Sequence, residues 1–319
     1  YVLYAHWVAN EYTVTFDAQG GTFPDGDSRK AVYQTYYQAY SVPQQNPTRS
    51  GYVFEGWYTQ KTDGTQVTTM TSMDTAKDHT LYARWRQIKE TTVTVGEVTL
   101  TFEGTPVYAK TDSEGKVTKG GSSSDYNIML EEGELTLKNA TVYSSTDPDG
   151  AIHTTNALVI KLEGKNTVTS AKSDYGIYVK GNDLTIQGSG SLDVTAGTEG
   201  SFSDGIYSNN NIVISGATVT ATGRNATNTS RGICAGYQVT IQNGANVTAV
   251  GGNGGRQSYG IWCDSGITIN HSTCKATANE SSKGTKQAIY ISNKAMNLIN
   301  AHLTSGSENG TSAEWIPQN

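Results

Sequence analysis

A small residue followed by isoleucine recurs six times in the second part of the chain. Successive isoleucines of these pairs are separated by 25 to 29 residues, and the segments between them lack the apolar spacing of a helix. A repeat of this length without helices predicts a solenoid of stacked coils. The pairs are Ala151-Ile152, Gly176-Ile177, Gly205-Ile206, Gly232-Ile233, Gly260-Ile261 and Ala288-Ile289.

Within each repeat unit, apolar residues alternate with Thr, Ser, Asn or Lys, which is the pattern of a strand with one buried face. Three such strands per unit are separated by turns rich in Gly, Asn and Ser. The pattern therefore predicts an all-β fold, a right-handed parallel β-helix of about six to seven coils with three short strands each. A leucine-rich repeat has a similar period, but its leucine signature is absent from the sequence.

Stacking the units predicts three columns of inward side chains. The isoleucines of the six pairs form the first column. The second contains Ile160, Ile186, Ile214, Ile241, Ile269 and Leu298. The third contains Val142, Val168, either Leu192 or Val194, Val219, Val247 and Cys274.

The two ends and one corner of the solenoid are also predicted. Residues 93–102 alternate and are expected to form the first coil or its cap, and residues 304–319, with Trp315 and Ile316, are expected to close the other end. Turns of unequal length at residues 198–204, 223–231 and 251–257 are expected to project from one corner. Such projections are where solenoids commonly place binding surfaces.

The first ninety residues have a different composition, dense in aromatic residues and proline. Three blocks stand out: YTVTFDAQGG at residues 12–21, PTRSGYVFEGWY at 47–58 and DHTLYARW at 78–85. These blocks resemble the Listeria–Bacteroides repeat, the B-repeat type of internalin surface proteins. The resemblance spans residues 12–85 and implies an extracellular location, a small β-grasp-like fold and use in tandem as a spacer.

The first residues of the chain match the end of this repeat. VLYAHW at residues 2–7 corresponds to TLYARW at residues 80–85. We therefore expect residues 1–8 to be the end of a preceding B-repeat and the chain to be part of a longer protein. The predicted domains are residues 1–8, a B-repeat domain at 9–89 and the parallel β-helix at 90–319.

Composition limits the partners. The formal net charge is −6 and only 16% of residues are charged, so the chain lacks the basic patch that nucleic acid requires. No apolar run approaches the ~20 residues of a membrane span, so no membrane insertion is expected of this part of the protein. The three cysteines do not suggest a disulfide framework; Cys263 and Cys274 are expected inward and Cys234 outward, as buried free thiols. A monomer is expected.

The outward position after each isoleucine is rich in aromatic residues. Coils stack ~4.8 Å apart, so these side chains should form a ladder along one face. Exposed aromatic rows suit the flat faces of sugar rings, whereas the alternative is that stacked rings only stabilise the sheet. The ladder positions are His153, Tyr178, Tyr207, Cys234, Trp262 and Tyr290, and the predicted carbohydrate-binding residues are Tyr178, Tyr207, Trp262 and Tyr290.

Asp149, Asp174 and Asp204 precede the first strand in three successive coils. Stacked carboxylates repel one another unless a cation joins them, so Ca²⁺ is the one cofactor that the sequence suggests. The alternative is ordinary turn chemistry on a solvated corner, which the absence of a D-x-D-x-D spacing favours.

An enzyme is not expected. The outward column contains no Arg, Lys, Asp or Glu, and Arg224, Arg231 and Arg256 are expected in or beside turns. A glycosidase needs paired carboxylates, and no nucleophile, metalloprotease or phosphate-loop motif is present. A polysaccharide lyase stays as an alternative because parallel β-helices commonly carry such enzymes.

The coil sequence resembles the carbohydrate-binding β-helix family of clostridial surface proteins over about residues 127–305. DGIYS at residues 204–208 and IVISGATVTA at 212–221 carry the similarity. It implies binding of plant polysaccharides such as cellulose or pectin-like acids, in some members with Ca²⁺. In later coils, however, the position of Asp204 is taken by Arg231 and Tyr259. We therefore expect a bacterial cell-surface or secreted adhesin that binds a polysaccharide or host glycan, with the B-repeat as a stalk. A purely structural or protein-binding surface module is the alternative.

Overall fold

The computed structural model describes residues 1, 3–4, 8–198, 200–279, 284–293, 295–307 and 313–315. These residues form strands and turns with no helix, which confirms the all-β prediction. The chain divides into two compact units, Tyr1–Lys89 and Glu90–Asn319. The predicted strand at residues 1–8 falls largely on Val2, Ala5, His6 and Trp7, which lie outside the described residues.

The first unit is a small five-stranded sheet. Its strands are β1 (Glu11–Asp17), β2 (Arg29–Thr35), β3 (Tyr52–Tyr58), β4 (Gln66–Val67) and β5 (His79–Gln87), in the order β2-β1-β5-β3-β4. The first and last strands, β1 and β5, are parallel neighbours at the centre, as in a β-grasp sheet. Phe16, Trp57 and Leu81 pack in its core, and the Trp85 indole N–H donates to the Ala18 carbonyl oxygen at 2.8 Å.

The second unit begins with antiparallel strands and continues into parallel coils. The leading strands are β6 (Thr91–Val95), β7 (Val98–Phe102), β8 (Val107–Thr111), β9 (Val117–Lys119) and β10 (Ile128–Glu131). Two further strands, β11 (Glu134–Lys138) and β12 (Thr141–Ser144), start two of the parallel sheets.

Six coils of three strands follow. They comprise β13 (Ile152–Thr154), β14 (Leu158–Glu163) and β15 (Lys165–Ser170); β16 (Tyr175–Val179), β17 (Leu184–Gln187) and β18 (Ser191–Thr195); β19 (Phe202–Ser208), β20 (Ile212–Ser215) and β21 (Thr218–Thr222); β22 (Thr229–Ala235), β23 (Gln238–Gln242) and β24 (Asn246–Gly251); β25 (Gln257–Cys263), β26 (Gly266–Asn270) and β27 (Thr273–Ala278); and β28 (Thr285–Ile291), β29 (Ala295–Ile299) and β30 (His302–Ser307). A last strand, β31 (Ala313–Trp315), ends the unit.

These strands form three parallel sheets, one for each strand of a coil. The first face contains β13, β16, β19, β22, β25 and β28; the second face runs from β11 through β14 to β29; the third runs from β12 through β15 to β30. Each strand pairs in parallel with its equivalent one coil away. The parallel β-solenoid predicted from the repeat is therefore confirmed, with about six coils.

Strand register confirms the first two inward columns. The isoleucines of the six pairs align on the first face, and the series from Ile160 to Leu298 aligns on the second. On the third face, the single predicted column is in fact two neighbouring columns. Val168 aligns with Val194 in one column. Leu192, two residues before Val194 in the same strand, aligns with Val219 in the other column. Both Leu192 and Val194 are buried, because each third-face strand turns two side chains inward.

Antiparallel strands cover the first coil, as predicted for residues 93–102. The hairpin of β6 and β7 pairs antiparallel with β13 at the edge of the first face, and β8, β9 and β10 extend the edge of the second face. At the other end, β31 pairs antiparallel with β30, while Ile316 lies outside the described residues.

The glycines of the small-residue–isoleucine pairs allow the first and third faces to approach backbone to backbone. A Cβ atom on Gly205 would lie 2.7 Å from the backbone nitrogen of Thr222 and 2.7 Å from the Gly232 carbonyl oxygen. On Gly232 it would lie 2.4 Å from the backbone nitrogen of Val250. These neighbours are backbone atoms that cannot turn away. The repeat therefore needs glycine at interior coils for lack of space.

We expect Gly232→Ala to destabilise the solenoid by about 1–3 kcal/mol, the usual cost of overpacking. The methyl group would press on the third-face backbone at the middle of the stack. The midpoint of urea unfolding measures the effect. Ala288→Gly, in the same column at the last coil, serves as the control and should cost less than about 1 kcal/mol. A Gly232→Ala midpoint equal to that of the unmodified chain would contradict this account of the glycine column.

The three unequal turns lie at one corner, between the third and first faces, as predicted. They connect β18 to β19, β21 to β22 and β24 to β25. Backbone hydrogen bonds join the turns to one another, for example from the Gly255 nitrogen to the Ala226 oxygen and from the Ala226 nitrogen to the Asn253 oxygen. The turns at this corner are therefore stacked on one another through backbone hydrogen bonds, as the strands are.

Candidate functional site

The outward ladder on the first face has the predicted register. His153 pairs with Tyr178, Tyr178 with Tyr207, Tyr207 with Cys234, Cys234 with Trp262 and Trp262 with Tyr290. The aromatic members are half-buried except Tyr290, which is 36% exposed at the last coil. The ladder is thus a packed row whose outer surface faces solvent.

A second outward column lies beside the ladder; the sequence aligned Asp204 with Arg231 and Tyr259 but did not predict that this column faces outward. It contains Tyr175, Asp204, Arg231, Tyr259 and Gln287, aligned in register three residues before the ladder positions. Strict alternation assigns residues three apart to opposite sides of a strand. The first-face strands depart from it at the small residue of each pair, so both columns lie on the outer side. The spacing Y-G-I-Y at residues 175–178 was the available signal.

The aromatic side chains of the two columns form two clusters. In the N-terminal cluster, Tyr175 stacks on Tyr178 with ring centroids 4.4 Å apart and an angle of 24° between the planes. Tyr207 joins it at 5.2 Å from Tyr175 and 5.3 Å from Tyr178. In the C-terminal cluster, Trp262 and Tyr290 are stacked at 6.1 Å and 12°, and Tyr259 lies 5.5 Å from Tyr290. The face therefore presents two aromatic patches.

A buried ion pair fills the space between the two clusters. The Arg231 guanidinium donates from Nε to Asp204 Oδ1 and from Nη2 to Asp204 Oδ2, both at 2.7 Å. Its Cζ atom lies 5.8 Å from the centre of Tyr207 and 5.6 Å from that of Trp262, the two ladder rings on either side of Cys234. The planar guanidinium thus lies where the ladder has no ring. The sequence analysis expected Arg231 in or beside a turn; it is in β22, and Asp204 is inside β19.

Burial dominates the electrostatics of this pair. The Asp204 side chain is fully buried and that of Arg231 is 13% exposed. Burial raises the pKa of Asp204 above its ordinary value, although the Arg231 charge opposes the shift. Burial alone would lower the pKa of Arg231, but the Asp204 carboxylate outweighs it and raises that pKa, so the guanidinium stays charged. A buried ion pair of this kind fixes the positions of its two side chains, and it adds little net stability to the fold.

The hydroxyls of Tyr175, Tyr178 and Tyr207 stay protonated at neutral pH. Burial, reinforced by the nearby carboxylates of Asp204 and Asp174, raises the pKa of Tyr175. Burial likewise raises the pKa of Tyr178 and of Tyr207. The Asn209 side-chain amide donates to the Tyr207 hydroxyl oxygen at 3.1 Å. The hydroxyls can therefore donate to an acceptor such as a sugar oxygen.

The register takes Asp204 out of the predicted Ca²⁺ row of three aspartates. Asp204 aligns with Tyr175, one residue after Asp174, and both of its oxygens accept hydrogen bonds from Arg231. Asp174 lies in the preceding turn, where burial raises its pKa and its carboxylate accepts a hydrogen bond from the Phe202 backbone. A carboxylate already paired with a guanidinium has no charge left for a cation. The residues therefore do not fit the predicted row.

Asp149 instead belongs to a group with Asp147 and His153, whose ligand atoms lie within 4.8 Å of one another. His153 Nε2 is 3.0 Å from Asp147 Oδ2. The sequence analysis did not bring these residues together, because Asp147 and Asp149 lie in the turn before β13 whereas His153 lies on the strand. The spacing D-x-D-x-x-x-H was the available signal.

All three cysteines are free and buried. Cys234 has the outward register that the sequence predicts, but the flanking rings and Arg231 close over it, so it is fully buried rather than exposed. Burial raises the pKa of Cys234 well above its ordinary value, that of Cys263 to about 11 and that of Cys274 to about 12.

We therefore expect no thiol to react with a thiol-disulfide reagent at pH 8 while the chain is folded, and all three to react after denaturation. Counting the released chromophore before and after adding guanidinium measures this. Rapid reaction of one thiol in the folded protein would show that the covering at Cys234 opens, since Cys234 alone of the three lies on the outer side.

No helix in the described part of the chain is long and apolar enough to cross a membrane. The fold and the site define two parts: a small sheet domain, and a β-solenoid with an aromatic outer face. A family model described as the Listeria-Bacteroides repeat domain matches residues 12–84, within the first unit, which confirms that resemblance.

Two relatives share a segment with this chain. Internalin H of Listeria monocytogenes is 37% identical over 83 residues, which are 26% of this chain and 14% of that protein. A Gly-rich membrane protein of Evansella cellulosilytica is 33% identical over 84 residues, 26% of this chain and 9% of that protein. The match thus spans a small fraction of each relative's length.

Proposed function

We propose that this chain is a non-catalytic polysaccharide-binding module of a bacterial surface or secreted adhesin. The main support for this proposal is the arrangement of side chains on the first face of the solenoid. There the Arg231 guanidinium lies between two aromatic clusters and joins them into one row. The B-repeat domain serves as a spacer. Its similarity to internalin H and to a protein named as a membrane protein supports a location at the cell surface.

The geometry suits an extended sugar chain. The C–H faces of sugar rings pack on aromatic rings, and their hydroxyls need polar partners beside those rings. The hydroxyls of Tyr178 and Tyr207 can donate hydrogen bonds, and Asn209 adds an amide next to the Tyr207 hydroxyl. Tyr207 and Trp262 are two coils apart, about 10 Å at ~4.8 Å per coil, which is roughly the length of two sugar rings. A polysaccharide would therefore lie along the solenoid axis.

The test is retention of the whole chain on a panel of insoluble and immobilised polysaccharides, including cellulose, galactomannan, xylan and polygalacturonate, together with a host-glycan array. Retention on at least one polysaccharide supports the proposal, and no retention on any of them contradicts it. A parallel run with chelator tests the predicted Ca²⁺ dependence separately. Since Asp204 is held by Arg231, we expect retention to be unchanged by the chelator.

A purely structural or protein-binding module is the second candidate, favoured by how closely the rings pack on one another. Stacked pairs such as Tyr175 and Tyr178 contribute about 0.5–1.5 kcal/mol each to stability without any ligand. The structural-module hypothesis predicts that removing the rings lowers the stability of the fold and does not change retention on any polysaccharide. A polysaccharide lyase would release unsaturated product absorbing in the ultraviolet from polygalacturonate. The Arg231 guanidinium, which such a lyase could use as its base, is instead fixed to Asp204.

A further inference from the structure

Carboxylates lie beside the N-terminal aromatic cluster, since Asp174 precedes Tyr175 in the chain and Asp204 aligns with Tyr175 one coil away. Asp204 and Asp174 lie near enough to Tyr175, and Asp149 near enough to Tyr178, to add to the burial that raises the pKa of each tyrosine. The cation beside this cluster is Arg231, and its charge is balanced by Asp204 at 2.7 Å. A ligand on these rings therefore meets carboxylate charges that Arg231, already paired with Asp204, does not offset.

Arg231 would be a receptor for a sugar carboxylate if Asp204 did not occupy it. A guanidinium binds carboxylates through two parallel N–H groups, and here that fork is already used by both Asp204 oxygens. A uronate that displaced Asp204 would leave a fully buried carboxylate unpaired, which is costly. The guanidinium keeps further N–H groups that a neutral hydroxyl can use without breaking the pair.

We infer that the Asp204–Arg231 pair makes this face select uncharged polysaccharides and reject polyuronates. The inference rests on the proposed polysaccharide binding and adds the chemical class of the ligand to it. The pair acts in two ways: the guanidinium completes the stacking row between Tyr207 and Trp262, and Asp204 cancels the charge that would attract a uronate. The face would therefore be specific for neutral polysaccharides because it disfavours binding of polyuronates.

The test compares polymers that differ in charge but not in backbone. The neutral probes are barley β-glucan and galactomannan; the acidic probes are the same β-glucan oxidised at C6 to the uronate, and polygalacturonate. Affinity electrophoresis of the whole chain at low salt gives the dissociation constants. We expect the unmodified protein to bind a neutral probe at least about tenfold more tightly than its oxidised form, and the ratio to shrink as salt is added.

Two variants test the cause. Asp204→Asn leaves the Arg231 charge unbalanced and should strengthen binding to the acidic probes by about tenfold relative to the neutral ones. The double variant Asp149→Asn/Asp174→Asn removes surface charge without touching the pair and should raise acidic binding by a few-fold. Asp193→Asn, on the third face, is the matched control and should change neither.

The outcomes separate this inference from the proposed function. No binding to any probe would remove the proposed function itself. Equal binding of neutral and oxidised β-glucan by the unmodified protein would overturn the inference while leaving polysaccharide binding in place. Selectivity that survives in both Asp204→Asn and the double variant would also overturn it. If circular dichroism shows Asp204→Asn unfolded, the ratio of neutral to oxidised β-glucan binding in the unmodified protein, and its fall with added salt, decides.

Discussion

Replacing Tyr207 and Trp262 together with alanine is expected to weaken polysaccharide binding by about 100-fold or more. Each ring flanks the Arg231 guanidinium and belongs to a different aromatic cluster, so the double variant removes one ring from each cluster and both neighbours of the guanidinium. Central Trp and Tyr side chains typically contribute ~2 kcal/mol or more to a binding surface. Retention on whichever polysaccharide holds the unmodified chain measures the effect.

Tyr143→Ala is the matched control for this experiment. Tyr143 is an aromatic side chain on the third face, 43% exposed, and takes no part in the ladder. It should leave retention unchanged. If the Tyr207/Trp262 variant keeps full retention while its fold is intact, the rings only stabilise the sheet, and the structural module becomes the better description.

Removing Arg231 alone is expected to produce the largest loss of stability. In Arg231→Met, a fully buried Asp204 carboxylate loses both hydrogen bonds and its counter-charge, which costs about 3–5 kcal/mol. Replacing both partners, in Asp204→Leu/Arg231→Met, leaves no buried charge and should recover most of the loss. Urea unfolding followed by circular dichroism compares the three proteins.

The pH dependence of the single variant has a definite sign. Burial raises the pKa of Asp204 in the folded chain, and the loss of Arg231 raises it further, whereas the unfolded chain keeps a value near ~3.9. Between these two values the folded state binds the proton more tightly, so the stability of Arg231→Met rises as pH falls. The gap between the single and double variants should therefore narrow from pH 8 to pH 5. A gap that is constant or widens would show that Asp204 is not the source of the loss.

The architecture of the solenoid was predictable because its signal is repeated. Each isoleucine is supported by five others at the same place in the repeat, and one irregular coil does not shift the alignment. The ladder followed from the same register. The third face was less certain because two inward positions per strand, such as Leu192 and Val194, offer two alignments that the sequence alone does not separate.

The ion pair was not predictable for two physical reasons. Alternation assigns Asp204 and Tyr207 to opposite sides of the strand, and only the close approach at the intervening glycine places both outward. The repeat does align Arg231 with Asp204 one coil away, but both fall beside predicted turns, where nothing in the sequence shows that the two side chains are buried together. For the same reason, the sequence placed three aspartates in a row that the register breaks.

The glycine column also has a consequence for engineering. At the glycine column, backbone atoms lie directly against backbone atoms, so the spacing there cannot adapt to larger side chains. The smallest piece that can be inserted or removed without disturbing the other coils is therefore a whole unit of about 27 residues. Each inserted unit would lengthen the outer surface by ~4.8 Å and contribute its own side chain to the row. Ligand length and residue choice could thus be adjusted independently, one module at a time.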